Sequence, residues 1–427
     1  MALSRRYFLK SAGLSLFGAG SVPPFLRRTA YALNQPNASA RKKVLVAIFQ
    51  RGAADGLNTI VPFGDRSYYS LRPSIAIPPP SSRSENGGRT VIDLDGFFGL
   101  HPSLAGLKPL FDAQHLAIVH AAGSPDSTRS HFDAQDYMET AAPGVRSESN
   151  GWLNRYLEST PEAEVTPFRA VAVTPRMPMT LLGAAPALAM NDVKSFRLRP
   201  VDPIVGGNGS LAAVFESMYA STSDPLLGRT AREMFEAAAT LERLGLADYQ
   251  PANGARYPMG QLGRSLQQVA QLIRADVGLE VAFAEVSGWD HHVNEGAVEG
   301  QLANSLRQFG DALVAFHQDL GDRMSEVLVL SMTEFGRAAR ENGNRGTDHG
   351  HAAVMFALGG PVKGGKVYGR WPGLGEDQLY EGRDLALTTD FRDVFAEVAV
   401  RHLRAADVNT IFPGFSVFPS RFRGFLT

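Results

Sequence analysis

The stretch EVLVLSMTEFGRAARENGNRGTDHGHAA, from Glu326 to Ala353, decides the fold. Val327 to Met332 is an unbroken apolar run of strand length, as expected of a parallel strand buried on both faces. The run stops at Thr333-Glu334-Phe335-Gly336-Arg337, crosses a Gly/Asn-rich loop and ends in Thr347-Asp348-His349-Gly350-His351. In open α/β sheets, ligands gather at the carboxyl ends of the strands. A carboxylate at a strand tip followed by Asp-His-Gly-His offers the oxygen and imidazole donors that a metal needs. The plainer reading pairs Glu334 with Arg337 and leaves the histidines capping turns.

A second apolar run, Leu279 to Val286, ends in Ser287-Gly288-Trp289-Asp290-His291-His292. Between the two runs, Leu302, Leu306, Phe309, Leu313, Phe316 and Leu320 recur at steps of four and three, one face of a helix. Strand, helix, strand is a crossover unit, so both polar clusters are expected on the same edge of one parallel sheet. Five of the ten histidines lie between Asp290 and His351, counting His317, which reads as a structural histidine of the helix.

The 427 residues are 44% hydrophobic and 20% charged, enough for a large α/β domain, and 43 Gly with 26 Pro imply long loops. Ser4-Arg5-Arg6-Tyr7-Phe8-Leu9-Lys10 reads as a twin-arginine export signal, followed by a weakly apolar stretch to Leu26 and small residues at Ala30-Tyr31-Ala32. The expected organisation is therefore a signal peptide over 1–32, a linker over 33–42 and one domain over 43–427. The twin-arginine translocase is the expected export partner, and the mature protein is expected in the periplasm. No segment is long and apolar enough to be a stable membrane span. The absence of Cys removes disulfides and thiolate metal sites. Without the five basic residues of the signal, the formal charge of −1 becomes about −6, which gives nucleic acid no attraction as a partner.

Lys43 to Phe49 reads as the first, central strand, opening into Gln50-Arg51-Gly52-Ala53-Ala54-Asp55-Gly56. Asp55 there is either an Asp-Gly turn residue or a metal ligand, and Arg51 is a candidate clamp for an anionic group. His115 to His120 is a further strand, followed by Ser124 to Asp133; a helix starts after Ser130, whose spacing to Asp133 resembles a capping box. Ser130 is thus an N-cap, a nucleophile, or both, and His131 with Arg129 can grip an oxyanion. Arg169 to Val173 reads as a strand, 224–275 as a helical insertion, and 363–371 as a Gly-rich loop. Asp390 caps a last amphipathic helix.

The motifs RGAADGLN, YYSLRP, GLHPSL, SHFDAQ, SGWLNRYL, SGWDHH, TEFGR, GTDHGHA and TTDFRDVFAEV, in this order, resemble the domain of unknown function 1501 family, from Lys43 to the C-terminus. That family is grouped with the alkaline-phosphatase and sulfatase superfamily. The resemblance implies a doubly wound, mainly parallel sheet with helices on both faces and a binuclear metal site. By motif order, it puts Asp55 at the first-strand metal position, Ser130 near the nucleophile, Asp290 with His292 on one metal, and Glu334 and His349 on the later ligand positions. The sequence departs from the pattern where Phe335 follows Glu334, leaving Asp348 or His351 to supply the missing ligand. The Cys/Ser-x-Pro-x-Arg signature is absent around Ser124 to Arg129, which argues against a usual sulfatase.

The function expected from these residues is hydrolysis of a phosphate ester or related anionic ester. One or two divalent ions, zinc, manganese or calcium, would be its cofactor. The alternatives are a non-catalytic exported scaffold that binds a cell-envelope component, and a phosphomutase or transferase.

Overall fold

In the computed structural model, residues 42–80, 89–161, 166–192 and 249–427 are described, with Ala237 and Thr240. The export signal, the linker up to Arg41 and, except for Ala237 and Thr240, the part of the expected helical insertion before residue 249 lie outside them. Among the described residues the main sheet has nine strands: β1 (Val44–Arg51), β2 (Leu116–Gly123), β3 (Ala170–Ala172), β4 (Leu188–Ala189), β5 (Val281–Ser287), β6 (Val327–Met332), β7 (Ala353–Gly359), β8 (Lys366–Tyr368) and β9 (Thr389–Asp390). The spatial order is β8-β2-β7-β6-β1-β5-β3-β4, with β9 also paired to β2. β8 lies inside the stretch read as a Gly-rich loop, because it pairs in parallel along β2.

Seven helices matter here: α1 (Gly56–Thr59), α2 (Arg66–Leu71), α3 (His131–Thr140), α4 (Trp152–Ser159), α5 (Gln261–Arg274), α6 (Gln301–Leu320) and α7 (Phe391–Glu397). Side chains of β1 alternate between two cores, as strand geometry demands. Val44, Val46 and Ile48 pack with α5 and α6, whereas Leu45, Ala47 and Phe49 pack with α4 and α7. Helices therefore cover both faces of the sheet. All six periodic apolar residues of α6 are buried. No helix among the described residues is long and apolar enough to cross a membrane.

β1 runs parallel to both β5 and β6, and their ends are level, with Arg51 beside Ser287 and Phe49 beside Met332. β7 runs antiparallel to β6 and to β2, so β2 points the same way as β1. This reversal has a consequence for the site. A β6–β7 connection within an antiparallel pair starts and ends on one edge, so 333–352 stays beside the tips of β1, β2 and β5. The loop folds back on itself, with Gly336 N–H donating to the His351 carbonyl at 2.8 Å and Ala338 N–H to that of Asp348 at 2.8 Å.

Three buried histidines outside the polar clusters at that edge hold the scaffold in their neutral form. His101 Nε2–H donates to the Ala297 carbonyl at 3.0 Å while Nδ1 accepts the Ser103 amide at 3.0 Å. His120 does the same between the Ile60 carbonyl at 3.1 Å and the Ala121 amide at 2.9 Å. His402 Nε2–H donates to the Val44 carbonyl at 2.9 Å. Burial pushes each imidazole down to about 4. The unfolded chain therefore binds more protons between the free imidazole value, about 6.5, and 4, so stability is lost as pH falls through this window. Each histidine is expected to add a slope of about 1.4 kcal/mol per pH unit. The urea midpoint of chelator-treated protein should fall between pH 7 and pH 5, and a flat midpoint would contradict neutral burial.

Candidate metal centre

Four loops meet at the carboxyl edge of the sheet. Gly52, with φ +116°, lets the β1 tip press against the β5 loop: a Cβ there would lie 2.8 Å from the Asp290 amide nitrogen. Gly346 does the same for the β6–β7 loop, where a Cβ would come within 2.4 Å of the His292 carbonyl. Ser130 caps α3, its Oγ accepting the Asp133 amide at 3.5 Å, so His131 is the first residue of the helix.

His131, Asp290 and His349 present ligand atoms that all lie within 4.8 Å of one another, a group that can hold a metal ion. The two Nε2 atoms of His131 and His349 are 3.0 Å apart. Asp290 Oδ2 is 3.5 Å from His131 Nε2, and its Oδ1 is 3.3 Å from His349 Nε2. His292 adds a further Nε2, 2.9 Å from that of His349 and 3.0 Å from Asp290 Oδ1. Four ligands at about 2.0 Å around a tetrahedral ion are roughly 3.3 Å from each other. The spacing of the three-residue group is therefore that of one face of such a tetrahedron, with His292 along the His349–Asp290 edge.

The other ring nitrogens settle which tautomer each imidazole adopts. His349 Nδ1–H donates to the Arg129 carbonyl at 2.8 Å, His131 Nδ1–H to Glu334 Oε1 at 2.7 Å and His292 Nδ1–H to Asp348 Oδ1 at 3.3 Å. In the neutral rings the Nε2 lone pairs are then bare and face one another beside a carboxylate. Only protons or a cation can relieve that arrangement. A divalent ion fits the donor set.

The carboxylates around it divide by their partners. Burial pushes Glu334 up, but hydrogen bonds from His131 and Gln135 outweigh it and hold the carboxyl below its usual range. Its oxygens also accept from Gly52 N–H at 2.8 Å and the Thr333 hydroxyl at 3.1 Å, so Glu334 orients His131 and offers no oxygen to the group. Burial likewise raises Asp290, and Arg337 at 2.6 Å more than compensates. Arg337 thus pairs with Asp290, whereas the plainer sequence reading paired it with Glu334. The hydrogen bond from Asn342, at 3.0 Å, holds Asp348 below its usual range.

Asp55 does not join the group. Both of its oxygens are taken by the buried Arg72, with Nη2 to Oδ1 at 3.0 Å and Nη1 to Oδ2 shorter still. Burial pushes Asp55 up, and Arg72 outweighs it to hold the carboxylate ionised. Its neighbour Glu295 is pushed well up by burial and by Asp55. Glu295 reaches the metal group indirectly, accepting the Thr347 hydroxyl at 2.8 Å, whose oxygen accepts Arg337 Nε–H at 3.2 Å.

His351 stacks on Tyr380 at 4.3 Å, outside the group. Arg51 is spent on Glu285 at 2.6 Å and Glu139 at 2.8 Å, and so offers no free clamp for an anion. Arg129 is spent on Asp384 at 2.6 Å and Glu381 at 2.8 Å. Phe335, the departure from the expected ligand pattern, packs its ring 5.0 Å from both the His131 and His349 rings.

Three participants were missed in the sequence: Gln135, Arg72 and Glu295. The first two stand in the quoted motifs SHFDAQ and YYSLRP. Nothing local distinguishes Glu295.

The fold and the site define an α/β protein with a large, mainly parallel sheet and a candidate His/Asp metal centre at the strand tips. The chain belongs to the family described as protein of unknown function (DUF1501), whose model matches residues 42–411. No curated protein matches it. Among solved structures it is similar to the PsFucS1 sulfatase from Pseudoalteromonas sp., at 11% identity, covering 92% of this chain and 75% of that chain with a TM-score of 0.37.

Proposed function

We propose that the protein is an exported, metal-dependent hydrolase of a small anionic ester, built on an alkaline-phosphatase-like scaffold. The observation that carries this reading is the convergence of imidazole Nε2 atoms on Asp290, each ring fixed by a hydrogen bond from its Nδ1. With Glu334 and Asp55 engaged elsewhere, the donors are richer in nitrogen than the sequence suggested, which favours zinc and weighs against calcium. An ion bound there would polarise an ester oxygen and lower the pKa of a coordinated water.

Catalytic metal sites keep an open side, whereas structural sites are closed. The side chains of Asp290 and His292 are 42% and 40% exposed, so the group faces solvent. The N-terminal end of α3 brings positive potential to the same place, which would favour negative charge developing on the substrate. Glu334 keeps His131 facing the group, and Arg337 holds Asp290 in place. Export by the twin-arginine route belongs to this reading and rests on Ser4 to Lys10.

A second reading has one observation in its favour. Arg51, Arg129 and Arg337 are all ion-paired, so none is spare to hold an anion, and the metal would then serve an envelope-binding scaffold. Metal analysis combined with a screen of phosphate and sulfate esters separates the two. Zinc with turnover is the expected result, zinc without turnover favours the scaffold, and neither would sink both. Ser130→Ala is expected to keep the metal and to cost about 1 kcal/mol as a lost N-cap. Loss of turnover in that variant would identify the Ser130 oxygen as nucleophile, and retained turnover would identify a water.

A further inference from the structure

We infer that Arg51, Gln135 and Glu334 form a positioning relay that decides which nitrogen of His131 faces the metal group, an inference that rests on the proposed metal centre. Gln135 Nε2–H donates to Glu334 Oε1 at 2.9 Å, and its Oε1 accepts Arg51 Nη1–H at 2.9 Å. The amide has only one workable orientation, because the flipped form would set its NH2 against a guanidinium and its oxygen against a carboxylate.

Arg51 is itself immobilised. Nε donates to Glu285 at 2.6 Å and Nη2 to Glu139 at 2.8 Å, while the other Glu139 oxygen accepts the Thr180 amide at 2.9 Å. At the far end, Glu334 Oε1 receives Gly52 N–H at 2.8 Å, His131 Nδ1–H at 2.7 Å and the Gln135 amide. Gln135 stands four residues after His131, so α3 carries on one face both the imidazole and the residue that orients its acceptor. A carboxylate fixed on Nδ1–H keeps Nε2 bare and more basic, and losing such support costs metal affinity. This gives Arg51 a role other than the anion clamp that its place on the loop suggested.

The test uses the full chain, with zinc as probe. In metal-free protein held above the imidazole titration range, nitrogen NMR should find His131 entirely in the Nδ1–H form. Gln135→Leu is expected to bind zinc about tenfold more weakly. In the same variant His131 should become a mixture of tautomers, while the thermal midpoint of the metal-free chain stays within a few degrees of wild type. Unchanged affinity and an unchanged tautomer in Gln135→Leu would overturn the relay, as would a wild-type His131 protonated on Nε2. That wild-type measurement needs no variant, so it decides the question even if Gln135→Leu does not fold. If the wild-type chain bound no zinc, the metal centre would fall, and the His131 tautomer would still decide the relay.

Discussion

Replacing His349 by alanine is expected to strip the metal and any ester hydrolysis together. His349 Nε2 is the shared vertex of the group, 3.0 Å from His131 Nε2, 2.9 Å from His292 Nε2 and 3.3 Å from Asp290 Oδ1. The expected loss of zinc affinity exceeds roughly 100-fold, beyond what changing a supporting residue costs. His351→Ala is the control: its ring stacks on Tyr380 away from the group, so metal content should be unchanged. Full zinc occupancy in His349→Ala, measured by elemental analysis after dialysis, would refute the site.

Arg72→Met is expected to have the largest effect on stability. All five guanidinium N–H groups are used: two on Asp55, one on Asn58 Oδ1 at 2.8 Å, and two on the carbonyls of Ala338 and Ala339 at 3.0 and 2.9 Å. Methionine fills similar volume but leaves Asp55 as a buried, unpaired carboxylate beside Glu295. Breaking a buried pair from one side costs about 3–5 kcal/mol. Arg72→Lys should not rescue, since an ammonium cannot span both Asp55 oxygens and two carbonyls. Denaturant unfolding checks this; a loss under about 1 kcal/mol, the worth of an exposed pair, would show that the ion pair is not what holds the Asp55 loop.

The strands were legible because their signal is local. Val327–Met332 was delimited to the residue, β1 and β5 within two residues and β2 within three, since apolar runs bounded by polar loops identify buried strands. The α6 face was legible for the same reason. β8, three residues long and exposed or half-exposed, gave no pattern to read, and neither did the two-residue β4 and β9. The site was legible in part. Asp290, His292, Asp348, His349 and His131 were all singled out; of these, His131, Asp290 and His349 bring candidate ligand atoms within 4.8 Å of one another, although His131 was assigned to an oxyanion.

Sequence alone determined that an α/β sheet carries its polar clusters at strand tips on one edge, because periodicity and punctuation suffice for that. Tertiary structure decided which carboxylates face the candidate metal group and which are consumed. Asp55 and Glu334 stand at strand tips just as Asp290 does, yet Arg72 takes the first and His131 with Gln135 the second. The reversed β7 also needed the fold, and it returns His349 to the edge where His131 lies. The physical reason is the same in each case. A carboxylate's role depends on which cation or donor lies within about 3 Å, and a partner 17 residues on, as for Asp55, or 203 and 199 residues away, as for Glu334, leaves no local mark beside it.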